Sequence, residues 1–117
     1  HDIILIAGEE SYLLQMIDDL LADIPEQYSL GQNYPNPFNP ITKIDFALPR
    51  SGEVSIVIYN LMGQQVRTLL AKNMEYGFHT ITWNGLDQLG RPVSSGVYFS
   101  ELRARGFRQT KKMLMLK

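Results

Sequence analysis

Eight residues, Asn33 to Pro40 (NYPNPFNP), hold three prolines and three asparagines, and no other stretch of the chain restricts the backbone as strongly. Each proline fixes its own φ and drives the residue before it out of the helical region, so the stretch must be extended and turned. It is a shaped connection: Tyr34 and Phe38 supply aromatic anchors that could hold it against a sheet, which a Gly/Ser linker lacks. It also separates two hydrophobic periods, helical before it and twofold after it.

On the far side, Lys43 to Leu48 alternates apolar and polar residues and ends in the turn Pro49-Arg50-Ser51-Gly52. Val54 to Tyr59 alternates again and ends at Asn60-Leu61-Met62-Gly63. Further strands are predicted over Gln64 to Leu70, His79 to Trp83, Val97 to Ala104 and Arg108 to Leu116. Short strands separated by turn residues at near-regular spacing indicate an all-β fold: an immunoglobulin-like antiparallel β-sandwich of about seven strands. The Trp-on-disulfide core of antibody domains is half present, since Trp83 has no cystine to pack on.

On the near side, Asp2 to Ala7 is a short apolar run closed by Gly8, which predicts a strand. Leu13, Ile17, Leu20, Leu21 and Ile24 recur at helical spacing, with Asp18, Asp19 and Asp23 on the other side. An amphipathic helix over Ser11 to Ile24 follows, with Ser11 as N-cap and Pro25 as its stop. This short strand-helix segment cannot close a core alone, so its apolar stripe needs the following domain or a preceding one.

Charge divides the chain in the same neighbourhood. The seven charged residues before position 43 are all acidic, whereas residues 43–117 carry eleven Lys and Arg against five carboxylates, a net +6. A chain of 117 residues supports one core plus an appendage. No cysteine is present, which removes disulfides, thiolate metal sites and cysteine nucleophiles. No apolar run approaches the ~20 residues needed to cross a bilayer as a helix. The chain begins with His1 and is expected to be part of a longer protein.

Catalytic chemistry has few candidates. His1 is terminal and His79 falls in a predicted strand. Ser94-Ser95-Gly96 lacks the G-x-S-x-G context and a second histidine as base. Asp18 and Asp19 are adjacent on a helix and point apart. The segment Asn84 to Arg91 offers one carboxylate, Asp87, and lacks the spacing of a calcium loop; an Asx-type turn with Gly90 at positive φ is the better expectation. The basic group Arg103, Arg105, Arg108, Lys111, Lys112 and Lys117 contains one aromatic, Phe107, and no nucleic-acid motif. No enzyme activity, cofactor, metal or nucleic-acid partner is expected; the basic residues suit a charged edge hairpin that resists sheet-to-sheet aggregation.

Leu30 to Thr42 (LGQNYPNPFNPIT) resembles the opening motif of type A sorting domains of the type IX secretion system, close to the FlgD-like immunoglobulin fold. Ile58 to Leu69 is similar to that family's hairpin, Trp83 to Tyr98 to its W-x-G-x-D-x-x-G-x-x-V-x-x-G-x-Y block, and Lys111 to Lys117 to its lysine-and-leucine ending. The resemblance covers residues 28–117, which are expected to form the sandwich, and implies that residues 1–27 are the end of a preceding cargo domain plus its linker. It implies a secreted or cell-surface protein that crosses periplasm and outer membrane, with this domain read by the outer-membrane export machinery and an upstream cargo domain attached. It also implies structural roles for Asn33, Tyr34, Pro35, Asn36, Pro37, Phe38, Asn39, Pro40, Gly63, Trp83, Gly85, Asp87, Gly90, Gly96 and Tyr98. Tyr34 and Phe38 are expected to cap the core, Trp83 and Tyr98 to centre it, and Gly63, Gly90 and Gly96 to form tight turns. The contact for the machinery is expected at Lys111, Lys112, Met113, Leu114, Met115, Leu116 and Lys117. The alternative is an accessory immunoglobulin-like spacer or glycan-binding module of a secreted enzyme, which an aromatic platform on one sheet face would favour.

Overall fold

The structure, a computed structural model, describes residues 9–117. The strand expected at Asp2 to Ala7 lies outside the described residues. Helix α1 (Glu9–Ala22) precedes seven strands: β1 (Ser29–Leu30), β2 (Thr42–Leu48), β3 (Gly52–Asn60), β4 (Gln65–Met74), β5 (Gly77–Trp83), β6 (Gly96–Ala104) and β7 (Phe107–Met115). The strands form two antiparallel sheets, ordered β1-β2-β5 and β4-β3-β6-β7, that pack face to face as an immunoglobulin-like sandwich.

Twofold alternation decides which side chains point inward. Thr42, Ile44, Phe46 and Leu48 of β2 are buried while Lys43 and Asp45 are exposed, and β3 buries Val54, Ile56 and Ile58. Strand β4 runs past the expected end at Leu70 to Met74, because its ladder with β3 continues in unbroken register from Ile56 and Leu70 to Gly52 and Met74; its two register shifts lie nearer the hairpin turn, between Ile56 and Tyr59. The two-residue β1, for which Ser29 and Leu30 show no periodic signal, pairs with Ala47 and Phe46.

Trp83, the last residue of β5, is buried in the core with no exposed surface. Its ring lies 5.6 Å from Phe38 and 5.3 Å from Tyr98, the latter edge-on, and its indole N–H donates to the Leu86 carbonyl at 2.9 Å. Trp83 and Tyr98 thus join the two sheets near one end of the core, where their ladders with β2 and β3 terminate, and not at the expected centre; both polar tips are satisfied, since the Tyr98 hydroxyl donates to the Ser94 carbonyl. Of the two aromatics expected to cap the core, Phe38 is buried but Tyr34 is 46% exposed. The Tyr34 backbone bridges to Lys43, on the outward side of β2, and this turns its ring away from the core.

Helix α1 begins two residues before Ser11, which therefore lies inside the first turn and is not its cap. It ends three residues before Pro25, because a proline ring obstructs the preceding turn. Of the expected apolar stripe, Leu13, Ile17 and Leu20 are exposed and Ile24 is half-buried.

Glycine is required at position 85. Its φ is +73°, and a β-carbon there would stand 2.6 Å from the Met115 Cε and 3.0 Å from the Pro40 carbonyl oxygen. The opening segment, the loop after Trp83 and the end of β7 therefore meet at Gly85. Gly85→Ala should destabilise the domain by about 1–3 kcal/mol, read as a lower denaturation midpoint at unchanged slope; an unaltered midpoint would contradict this close approach.

Candidate functional site

The Pro/Asn segment runs down from β1 and lies along the outer edge of β7. Its first fixing point is Asn33, which is buried: its amide N–H donates to the Pro35 carbonyl and to the Thr42 hydroxyl at 3.0 Å, and that hydroxyl donates in turn to the Pro35 carbonyl at 2.9 Å. The Gln32 amide donates both to the Asn33 side-chain oxygen and to the Lys112 carbonyl, each at 2.7 Å. The peptide bonds before Pro35, Pro37 and Pro40 are cis.

From this anchor the segment engages the last strand atom by atom. The Leu114 N–H donates to the Asn36 side-chain oxygen, the Phe38 N–H donates to the Leu114 carbonyl, and the Leu116 N–H donates to the Phe38 carbonyl, all at 3.0 Å. Phe38 and Met115 form a parallel bridge. Higher on the strand, the Gln109 side chain accepts from the Leu30 N–H, and beyond its end the Lys117 N–H donates to the Ser95 hydroxyl. The lower half of the β7 edge, which would otherwise present unpaired backbone groups, is thereby covered.

The seven tail residues divide by face. Met113 and Met115 are fully buried between the sheets; Lys112, Leu116 and Lys117 are exposed, and Lys111 and Leu114 are half-buried. A partner meeting the folded domain reaches the latter five. The opening motif divides likewise: Asn33 and Phe38 are buried, whereas Tyr34, Pro35, Asn36, Pro37, Asn39 and Pro40 are exposed. Two landmarks separated by some seventy residues of sequence thus share one surface. Gln32, Asn36 and Gln109 were not singled out as bridging residues by sequence; their partners are backbone groups, which leave no mark in the side-chain pattern.

The loop after Trp83 forms the expected Asx-type turn. One Asp87 carboxylate oxygen accepts the Leu89 and Arg91 backbone N–H groups at 2.9 Å, and the other accepts the Arg91 guanidinium at 3.1 Å. Gly63 and Gly90 both have φ +80° in their turns, as expected, whereas Gly96, expected in a tight turn, is the first residue of β6 and pairs with Met115. Gln88 fastens this loop to the free edge of β4 through the Val66 carbonyl and the Thr68 N–H. The Arg91 backbone N–H, then the Leu89 N–H and the Arg91 side chain, hold the Asp87 carboxyl below the usual aspartate range.

The remaining titratable candidates are engaged locally. Asp45 accepts the Tyr34 and Thr80 hydroxyls, and the first of these bonds raises the Tyr34 hydroxyl above its ordinary pKa. Glu101 pairs with Arg103 at 2.7 Å and Arg108 at 3.6 Å on the outer face of the β6-β7 hairpin. His79 stacks on Phe46, with Nε2 2.8 Å from the Glu75 carbonyl oxygen. Among the described residues no three His, Cys, Asp or Glu side chains are grouped as a metal site, and no helix is long and apolar enough to cross a membrane.

Asp87 binds its proton more weakly folded than unfolded, so the turn's stabilisation is present above the unfolded aspartate pKa of about 3.9 and fades as pH falls through the lower folded value. Carbon NMR of the Asp87 carboxyl should place its titration midpoint below about 3.9; a midpoint at or above that value would contradict the turn geometry.

Among curated proteins nothing matches the chain. Two solved structures share the sandwich. One is dimeric latent PorU from Porphyromonas gingivalis, at 19% identity and a TM-score of 0.59, with 79% of this chain and 10% of that one covered. The other is PorZ, an essential bacterial surface component of the type IX secretion system of Porphyromonas gingivalis, at 18% identity and a TM-score of 0.52, with 79% of this chain and 12% of that one covered. This chain therefore spans about a tenth of the length of either protein, and at these identities the likeness is one of fold. The FlgD Ig-like domain family matches residues 40–106, more than half of the sequence and most of the sandwich, and the chain belongs to that family.

Proposed function

We propose that this domain is a non-catalytic sorting signal: a folded module that docks an attached cargo to type IX outer-membrane export machinery and so directs it to the cell surface or beyond. The observation that carries the reading is the composition of the last strand. Met113 and Met115 fill the core, but Lys112 and the two residues after the strand, Leu116 and Lys117, are exposed, and neither lysine lies in an ion pair among the described residues. Leu116 in particular is 51% exposed next to Lys117, a combination suited to a partner with an apolar pocket and carboxylates. The sorting-domain motifs, the family match and the fold shared with PorZ support this reading.

A second reading has one observation in its favour. Tyr59 and Phe99 stand opposite one another on the outward face of β3 and β6, beside a shallow hollow of about 350 Å³ bounded by Leu61 and Thr110, where a sugar ring could stack. Both rings are half-buried and the Tyr59 hydroxyl is shared with Glu101, so the platform is smaller and less free than the tail surface.

The test uses the full chain fused behind an exported reporter in a bacterium with a type IX system. The triple variant Lys112→Glu, Leu116→Glu, Lys117→Glu should stay folded, since exposed substitutions of this kind usually move stability by about 0.5 kcal/mol or less. Reporter at the cell surface should fall by roughly tenfold or more, the loss of about 1.4 kcal/mol of docking free energy. Undiminished export would refute the sorting role, and retention of the unaltered chain on polysaccharide would favour the second reading.

A further inference from the structure

The geometry points to a docking surface that is composite: the exposed face of the opening motif and the exposed face of the tail are contacted together by one acidic protein partner. The inference rests on the sorting role proposed above and goes beyond it, because it assigns the Pro/Asn motif to recognition as well as to folding.

Footprint supplies the first argument. A stable protein–protein contact takes roughly 800 Å² and twenty or more residues from each side. The tail offers five accessible residues, two of them half-buried. A partner seated on Leu116 and Lys117 must extend over whatever adjoins them, and the hydrogen bonds of Phe38 to Leu114 and Leu116 place Pro37 and Asn39 there. Pro40 meets the same Gly85 as the Met115 side chain, so Ile41, which follows it and is 54% exposed, continues the surface.

The second argument concerns what folding leaves unexplained. Asn33 and Phe38 have structural tasks, and Asn36 holds the Leu114 N–H. Asn39 is exposed and its side chain makes no hydrogen bond among the described residues, and Ile41 is an apolar side chain turned to solvent. Because Asn33, Thr42 and the prolines already fix the segment, a partner would order little on binding it.

Charge then selects the partner. Lys43, bridged to Tyr34, joins Lys112 and Lys117 as a third exposed cation without an ion pair among the described residues. The nearby carboxylates are occupied, Asp45 by two hydroxyls and Asp87 by its own turn and Arg91. The complementary surface is a protein that presents carboxylates around an apolar pocket for Ile41 and Leu116.

Four full-chain variants behind the exported reporter test this, each checked for an unchanged thermal midpoint. Asn39→Glu with Ile41→Glu alters the motif face, Lys112→Glu with Leu116→Glu alters the tail face, and Phe78→Glu places a charge on exposed β5 near the opposite end of the sandwich. Motif-face and tail-face variants should each lower export about tenfold or more, and Phe78→Glu should leave it unchanged. Asn39→Lys, similar in bulk to Asn39→Glu but opposite in charge, should export normally, which also shows that bulk at position 39 does not unfold the domain. Export lost only on the tail face would overturn the composite surface while leaving the sorting role intact; export kept on both faces would overturn both. Equal loss with Asn39→Lys, or loss with Phe78→Glu, would overturn the assignment of an acidic partner at this surface.

Discussion

The outer edge of the last strand is the constraint on which the rest of the molecule depends. An edge strand in the middle of a sandwich seam presents backbone donors and acceptors that must meet water or a partner, and an open edge invites pairing with another chain. Here the opening segment meets it. Phe38 takes the Leu114 carbonyl and the Leu116 N–H, Asn36 takes the Leu114 N–H, and Gln32 takes the Lys112 carbonyl. Prolines suit this task because they fix the backbone without adding N–H groups that would need partners of their own.

The same closure completes the core. Once Phe38 is tied to β7, its ring lies against Trp83, and Met113 and Met115 are sealed beneath the segment. Burying each of these side chains stabilises the fold by about 1.5–3 kcal/mol, whereas each peripheral hydrogen bond contributes about 0.5–1.5 kcal/mol. Packing therefore supplies most of the stability, and the hydrogen bonds fix the register in which packing occurs. Gly85 is where the two requirements collide, since Met115 and Pro40 approach it too closely for any side chain.

Much of this fold was legible in the sequence because alternation is a local signal. The six longer strands follow from residues such as Ile44, Phe46 and Leu48, and the turns from Gly63 and Gly90. The Asx turn at Asp87 was readable for the same reason, its partners lying within four residues. The failures are non-local. Strand β1 exists through its partners Ala47 and Phe46, and Tyr34 points outward through its bridge to Lys43. The candidate site was half legible: motif and tail were each visible, but their contact joins the Asn36 side chain to a backbone N–H 78 residues away, which no periodicity encodes. The tail's division into a buried and an exposed face was implicit in its alternation, yet only pairing with β6 sets Met113 opposite the core residue Tyr98.

A terminal strand clasped by the opening segment gives recognition a rigid object to read, in which residues needed for folding and residues left over for a partner alternate along the same backbone. Amide hydrogen exchange on the full chain tests the clasp most directly. Leu114 and Leu116 should be protected to a degree approaching core strand β3, and Asn36→Ala should speed exchange at Leu114 while Ile56 stays protected. Exchange of Leu114 and Leu116 at the rate of an unstructured chain, in a domain whose β3 amides remain protected, would contradict the account.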